Sequence, residues 1–171
     1  YGPCSGQPTI PLMLQDARRT LEELRQMESA RFADRSLIVF GRSLGSAAAI
    51  ELAAACADVA GLVVESGFAH VLPLLTLCGL PAVELHRLDE SCPPQNHAKI
   101  ATIELPTLIL HAADDQLIPM AQAQWLFDHC RAEQKRFVPI AGAGHNDIHA
   151  VGGQQYRDAV AMLVYTAALS I

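Results

Sequence analysis

The sequence predicts an α/β fold, a three-layer α/β/α arrangement in which helices cover both faces of a parallel sheet. Three observations carry that expectation: short continuous apolar runs, amphipathic or alanine-rich stretches between them, and the regular alternation of the two. A continuous apolar run marks a strand buried on both faces, and strands alternating with helices imply right-handed βαβ crossovers.

Taken in order, residues from about Ile10 to Met27 place Leu14, Ala17, Leu21 and Leu24 at helical spacing with charges between them, which predicts an amphipathic helix. Ser36-Leu37-Ile38-Val39-Phe40 is the first buried-strand run, and Gly41 ends it. The alanine-rich stretch Ser46 to Cys56 has high helix propensity and small side chains that allow close packing on a sheet. Further strands are expected at Ala60–Glu65, Leu105–His111 and Arg136–Ile140, with helices at about Met120–Cys130 and Gln154–Ala168. Residues 66–104 break the rhythm with Pro73, Pro81, Pro93 and Pro94, an apolar run Val71 to Leu80 and a polar run His86 to Lys99. Long connections of this kind act as lids or binding loops, so a lid-like excursion over the sheet is expected there.

At 171 residues, 51% hydrophobic and 18% charged, the chain fits a single domain with one core, and disorder is not expected. A net charge of −6 speaks against a nucleic-acid partner, which usually requires clustered Lys and Arg; Arg18-Arg19 and Lys135-Arg136 read as solvated element ends. The five cysteines, Cys4, Cys56, Cys78, Cys92 and Cys130, form no Cys-x-x-Cys pair and suit a reducing, cytoplasmic setting. No run is long and apolar enough for a transmembrane segment, and no signal-peptide pattern is present. The sequence begins at Tyr1 rather than Met, so residues are expected to precede it in the natural protein.

Gly41-Arg42-Ser43-Leu44-Gly45 matches G-x-S-x-G between an apolar strand and an alanine-rich helix. That context suits a serine held on a sharp, strained turn with its hydroxyl exposed, flanked by glycines that avoid backbone clashes. The Leu44 N–H, at the start of the helix, is the natural first oxyanion donor. Read blandly, Ser43 would be a turn serine or a helix cap, and a phosphate-binding loop lacks its Gly-Lys-Ser/Thr ending. A nucleophilic serine needs a base and a carboxylate to orient that base. In an open parallel sheet these belong in loops that follow strands. Asp114 and Asp115 follow the strand ending at His111, and His145 follows the strand ending at Ile140. The order Ser, Asp, His is that of a nucleophile-elbow enzyme. Asp147 reads as a local turn or cap, and His111 as a residue that packs or bonds locally. His70, His86, His97 and His129 look isolated. His145 and His149 share i, i+4 spacing without a third metal ligand, so neither metal nor cofactor is expected.

These segments resemble the α/β-hydrolase superfamily, and most closely its Bem46-like, abhydrolase-type serine hydrolases, which include protein depalmitoylases. Tyr1–Pro8 resembles the group's Y-G-x-S-x-G-x-P turn, with Cys4 at the serine position. Gly41–Gly45 is similar to its elbow, and Gly142–Asp147 to its G-A-G-H-N-D base loop. His111–Pro119 resembles its H-G-x-x-D-x-x-V/I-P acid loop with Ala112 in place of glycine, a register that selects Asp115 over Asp114. The family places its first strands, and the loop giving a second oxyanion donor, ahead of the turn that opens this sequence. The resemblance therefore implies the C-terminal portion of the fold, with Leu37–Phe40 at an open hydrophobic edge.

The expected activity is cleavage of a carboxylic ester or thioester through an acyl-serine, with Ser43 attacking, His145 moving the proton and Asp115 orienting it. The substrate is a small-molecule or lipid acyl ester or thioester, and Leu72, Leu75 and Leu117 are candidates for its pocket. A peptidase or amidase using the same residues, and a binding module that has lost turnover, are the competing readings.

Overall fold

The computed structural model describes residue 6 and residues 8–27, 37–77 and 94–169, apart from the side chains of Pro73 and Leu77. Four strands, β1 (Leu37–Arg42), β2 (Val59–Glu65), β3 (Thr107–Ala112) and β4 (Lys135–Ile140), form one parallel sheet in the order β1-β2-β3-β4. The helices are α1 (Ile10–Met27), α2 (Gly45–Ala55), α3 (Val71–Leu77), α4 (Asn96–Ile100), α5 (Met120–His129) and α6 (Ile148–Leu169).

Because the strand order is sequential, right-handed crossovers all run over one face of the sheet. Ala49, Ile50 and Ala53 of α2, Ile100 of α4 and Ala123 and Leu126 of α5 accordingly pack with Val39, Leu62, Val64 and Ile109 in one core. The opposite face falls to α6, whose Ile148, Tyr156, Ala159 and Leu163 pack on Val63, Leu108, Leu110, Val138 and Ile140. These layers give the expected three-layer α/β/α fold. A smaller cluster joins Leu14 of α1, Ala47 of α2, Phe68, Val71 of α3 and Ile118.

Charged side chains stitch the outer elements together. Buried Glu51 of α2 receives Arg18 of α1 and, at 2.5 Å, Lys99 of α4. Burial alone would raise the Glu51 carboxyl, but hydrogen bonds from Lys99 and Arg18 outweigh it and hold the group below the ordinary carboxylate range. Lys135 donates to the carbonyls of Phe127 and Cys130 at 2.8 and 2.7 Å, closing the C-terminus of α5. Arg18 and Lys135 are thus structural anchors rather than merely solvated ends.

Two expectations need correction. The first strand is not buried on both faces, since Phe40 is 48% exposed; it does lie outermost among the described strands, at the open edge that the resemblance implies. The last helix begins at Ile148, six residues early, with a non-helical Gly153 (φ 45°, ψ −115°) inside it; the continuous helix expected from Gln154 starts after this kink. Within the excursion, α3 and α4 are helical, and residues 78–93 lie outside the described residues. Pro139 sits in β4, at the other edge of the described sheet, where a missing N–H costs no ladder bond to a further strand.

Candidate active site

All the loops that matter leave the carboxyl ends of the strands. Ser43 follows β1 and has φ 52°, a left-handed conformation unusual for a residue with a Cβ. Its N–H is held by the Glu65 carbonyl at 2.9 Å, and Ser46 N–H closes back on the Ser43 carbonyl at 3.0 Å. Gly41 is sterically required, because a Cβ there would lie 2.4 Å from the Gly45 carbonyl oxygen and 2.6 Å from the Ala49 Cβ. Gly45 is not: a Cβ there meets nothing within 4 Å, so only one of the two flanking glycines avoids a clash. Leu44 (φ −55°, ψ −35°) opens α2, where backbone N–H groups lack an intrahelical acceptor. Its side chain is half exposed.

The second loop leaves β3. The Asp115 side chain is fully buried, and its Oδ1 accepts from the N–H groups of Leu117 (2.9 Å) and Ile118 (2.8 Å). Its Oδ2 lies 2.7 Å from His145 Nδ1. Burial alone would raise the Asp115 carboxyl, yet the bonds from Ile118, His145 and Leu117 prevail and hold it below the ordinary carboxylate range. Asp114 points away to solvent, and its backbone N–H bonds the Ala143 carbonyl at 2.9 Å. His111 is fully buried beneath this loop, and its Nε2 sits 2.9 Å from the Ile118 carbonyl. Burial depresses its pKa, against the pull of that carbonyl and of Asp115, so the ring is neutral and its Nε2–H donates.

The third loop joins β4 to α6. Gly142 adopts φ 73°, and the Gly144 N–H donates to Asp147 Oδ1 at 2.7 Å, so Asp147 shapes the turn that presents His145. His145 Nε2 lies 2.9 Å from Ser43 Oγ. Ser43, His145 and Asp115, separated by up to 102 residues, are thereby joined in one hydrogen-bonded chain. With the Asp115 carboxylate on Nδ1, the proton of a neutral imidazole resides there, leaving Nε2 to accept from the serine hydroxyl.

A further set of contacts surrounds these three and has no counterpart in the sequence expectations. Arg42, next to the serine, donates from Nη2 to the His145 carbonyl (2.5 Å) and to Asn146 Oδ1 (3.0 Å). Its Nε faces Glu65 Oε1 at 3.1 Å, and Tyr156 of α6 donates its hydroxyl to Glu65 Oε2 at 2.5 Å. Burial, then the bond to Glu65 and its charge, raise the Tyr156 pKa far above ordinary. The one sequence signal was Glu65, a carboxylate at the end of an otherwise apolar strand.

Of the candidate pocket residues, Leu72 and Leu75 pack on the cluster that contains Ala47 and Ile118, whereas Leu117 is 58% exposed on the acid loop. Leu80 lies outside the described residues. Three histidines that look isolated in sequence in fact converge. His70 and His97 stack with centroids 5.0 Å apart, His70 meets Trp125 edge-on at 4.8 Å, and His129 lies flat on Trp125 at 3.6 Å. His86 lies outside the described residues, and His149 packs edge-on against Tyr156 at 5.0 Å. A cleft of about 390 Å³ beside Thr107, Lys135, Arg136, Met162 and Tyr165 lies at the amino ends of β3 and β4, the wrong end of the sheet for Ser43. Among the described residues no helix is long and apolar enough to cross a membrane.

Parallel strands feeding a serine elbow, an acid loop and a histidine loop are the layout of the α/β-hydrolase fold. Residues 82–149, which carry the acid and base loops but not the elbow, match the family described as serine aminopeptidase, S33. Together with the likenesses that follow, this match supports an α/β-hydrolase superfamily member. The chain is similar to an uncharacterized protein of Mycobacterium tuberculosis (32% identity, covering 94% of this chain and 55% of the relative). It also resembles alpha/beta hydrolase domain-containing protein 17B of Homo sapiens (28%, 96% and 53%) and protein bem46 of Schizosaccharomyces pombe (28%, 86% and 49%). The chain thus spans about half the length of these relatives. Among solved structures, the Pyrococcus furiosus esterase superposes with a TM-score of 0.75 at 14% identity, covering 96% of this chain and 66% of that one. The expected fold is the one found, and the likenesses support the expected superfamily.

Proposed function

We propose that the protein carrying this chain is a serine hydrolase that cleaves carboxylic ester or thioester bonds through an acyl-serine intermediate. The observation that carries the reading is the chain of hydrogen bonds from Ser43 Oγ through His145 to Asp115, with Ser43 on a strained elbow. Ser43 Oγ attacks the substrate carbonyl as His145 Nε2 takes its proton, and the Leu44 N–H stabilises the oxyanion. Collapse expels the alcohol or thiol, protonated by His145, and leaves the acyl group on Ser43. Water, deprotonated by the same imidazole, attacks the acyl carbonyl; the hydroxyl of Ser43 is restored and the acid released. Asp115 remains ionised throughout, as its low pKa favours, and stabilises the imidazolium.

An apolar cluster beside the elbow suits an acyl substrate. The cluster of Leu14, Ala47, Phe68, Val71 and Ile118, extended by Leu72 and Leu75, reaches the elbow helix and the acid loop, the two segments at which the exposed Leu44 and Leu117 also stand. The name of the matched family favours a second reading, aminopeptidase or amidase activity with the same residues.

The whole protein, treated with a fluorophosphonate, is expected to carry the label on Ser43 by peptide mapping, and Ser43→Ala to abolish it. Label on another serine refutes the assignment. Rates on p-nitrophenyl esters of increasing acyl length, set against aminoacyl amides, decide between the two substrate classes; faster amide cleavage would replace the ester reading.

A further inference from the structure

We infer that Arg42, Glu65 and Tyr156 form a positioning network that sets the catalytic histidine against the serine, with Arg42 its central member. The inference rests on the serine-hydrolase reading above. His145 touches its two partners through its ring, but the backbone beneath that ring is part of a loop, and loops drift unless they are tied down. Arg42 supplies the tie. Its Nη2 donates to the His145 carbonyl at 2.5 Å and to Asn146 Oδ1 at 3.0 Å, so the elbow strand grips the histidine loop at two consecutive residues. A guanidinium is suited to this because its donors lie in a rigid plane, and holding one end fixes the direction of the other.

That other end is held by Glu65. The Arg42 side chain is 42% exposed, and such an arginine would ordinarily sample several rotamers; Glu65, whose side chain is 5% exposed, restrains it through the 3.1 Å contact to Nε. Glu65 is anchored in turn. It pairs with Arg42 in the β1–β2 register, its carbonyl accepts from Ser43 N–H at 2.9 Å, and its Oε2 accepts from the Tyr156 hydroxyl at 2.5 Å. Tyr156 stands on α6, the helix into which the histidine loop runs. The network therefore closes a ring through the elbow, the end of β2, α6 and the histidine loop, and both Ser43 backbone and His145 backbone are bonded to its members. Neither Arg42 nor Tyr156 touches Ser43 Oγ or the His145 ring by a hydrogen bond among the described residues, so they act through position alone.

The test uses Arg42→Met, Arg42→Lys, Glu65→Gln and Tyr156→Phe in the whole protein, with turnover of a short p-nitrophenyl ester normalised to the Ser43 sites titrated by fluorophosphonate. Misfolded molecules then drop out of the rate. Arg42→Met is expected to lower kcat about 10- to 100-fold with KM changed less than about threefold, since a small misplacement of a catalytic group costs that much. Arg42→Lys is expected to recover part of the loss. Glu65→Gln and Tyr156→Phe, which keep shape, are expected to show smaller losses that are less than additive with Arg42→Met. An unchanged kcat per titrated site, or a raised KM with normal kcat, would overturn the network. If the unaltered protein proves inactive on esters and amides, the serine-hydrolase reading fails on its own. The downfield Nδ1–H proton resonance of the His145–Asp115 pair then judges the network: a shift or loss in Arg42→Met supports it, and an unmoved resonance overturns it.

Discussion

Asp114 and Asp115 are adjacent carboxylates after the same strand, and only their directions separate them. Asp115 turns inward, bonds two backbone N–H groups and His145, and carries a depressed pKa; Asp114 turns to solvent. Asp115→Asn is therefore expected to lower kcat by up to about 10⁴-fold through loss of the correct imidazole tautomer, whereas Asp114→Asn should change it by no more than about two- to threefold. Steady-state kinetics on both folded variants checks this, and a larger loss at Asp114 would reverse the assignment. The two flanking glycines differ in the same residue-level way, for Gly41 sits against backbone and Gly45 faces open space.

At the scale of elements, β3 does more than hold the sheet together. Its penultimate residue, His111, is wholly buried and donates to the Ile118 carbonyl, so the strand end fixes the same loop that aims Asp115. Burial lowers the His111 pKa, which means the native state binds that proton less readily than the unfolded chain does. Its contribution to stability is complete above the unfolded value of about 6.5 and is lost as the pH falls below it towards the lowered folded value. Urea unfolding at pH values from about 8 to about 5 should show the unaltered protein losing stability more steeply below about 6.5 than His111→Gln. Parallel curves would mean that His111 protonates in the fold.

Across the whole molecule, two cores share one sheet, with α2, α4 and α5 over one face and α6 over the other. Ile50 and Leu163 belong to different cores, at 0% and 6% exposure. Truncating either to alanine is expected to cost about 2–5 kcal/mol, and the double variant the sum within about 0.5 kcal/mol, because the two share no partners. Denaturant melts of the three variants measure it, and a strong departure from the sum would show the two faces coupled through the sheet. By itself the sequence determined the four strands, the helices α1, α2 and α5, the elbow and the loops that carry Ser43 and His145. Those depend on short-range patterns: apolar runs, a glycine forced by close packing behind it, and loops that must follow strands. It also picked Asp115, but through a likeness to known loops and not through any local property that distinguishes it from Asp114. Only the tertiary structure decided that Phe40 is half exposed, that His70, His97 and His129 gather on Trp125, and that Arg42 and Tyr156 meet at Glu65. Contacts of this network join residues as far as 104 positions apart, where no periodicity in the sequence reports which side chains will face each other.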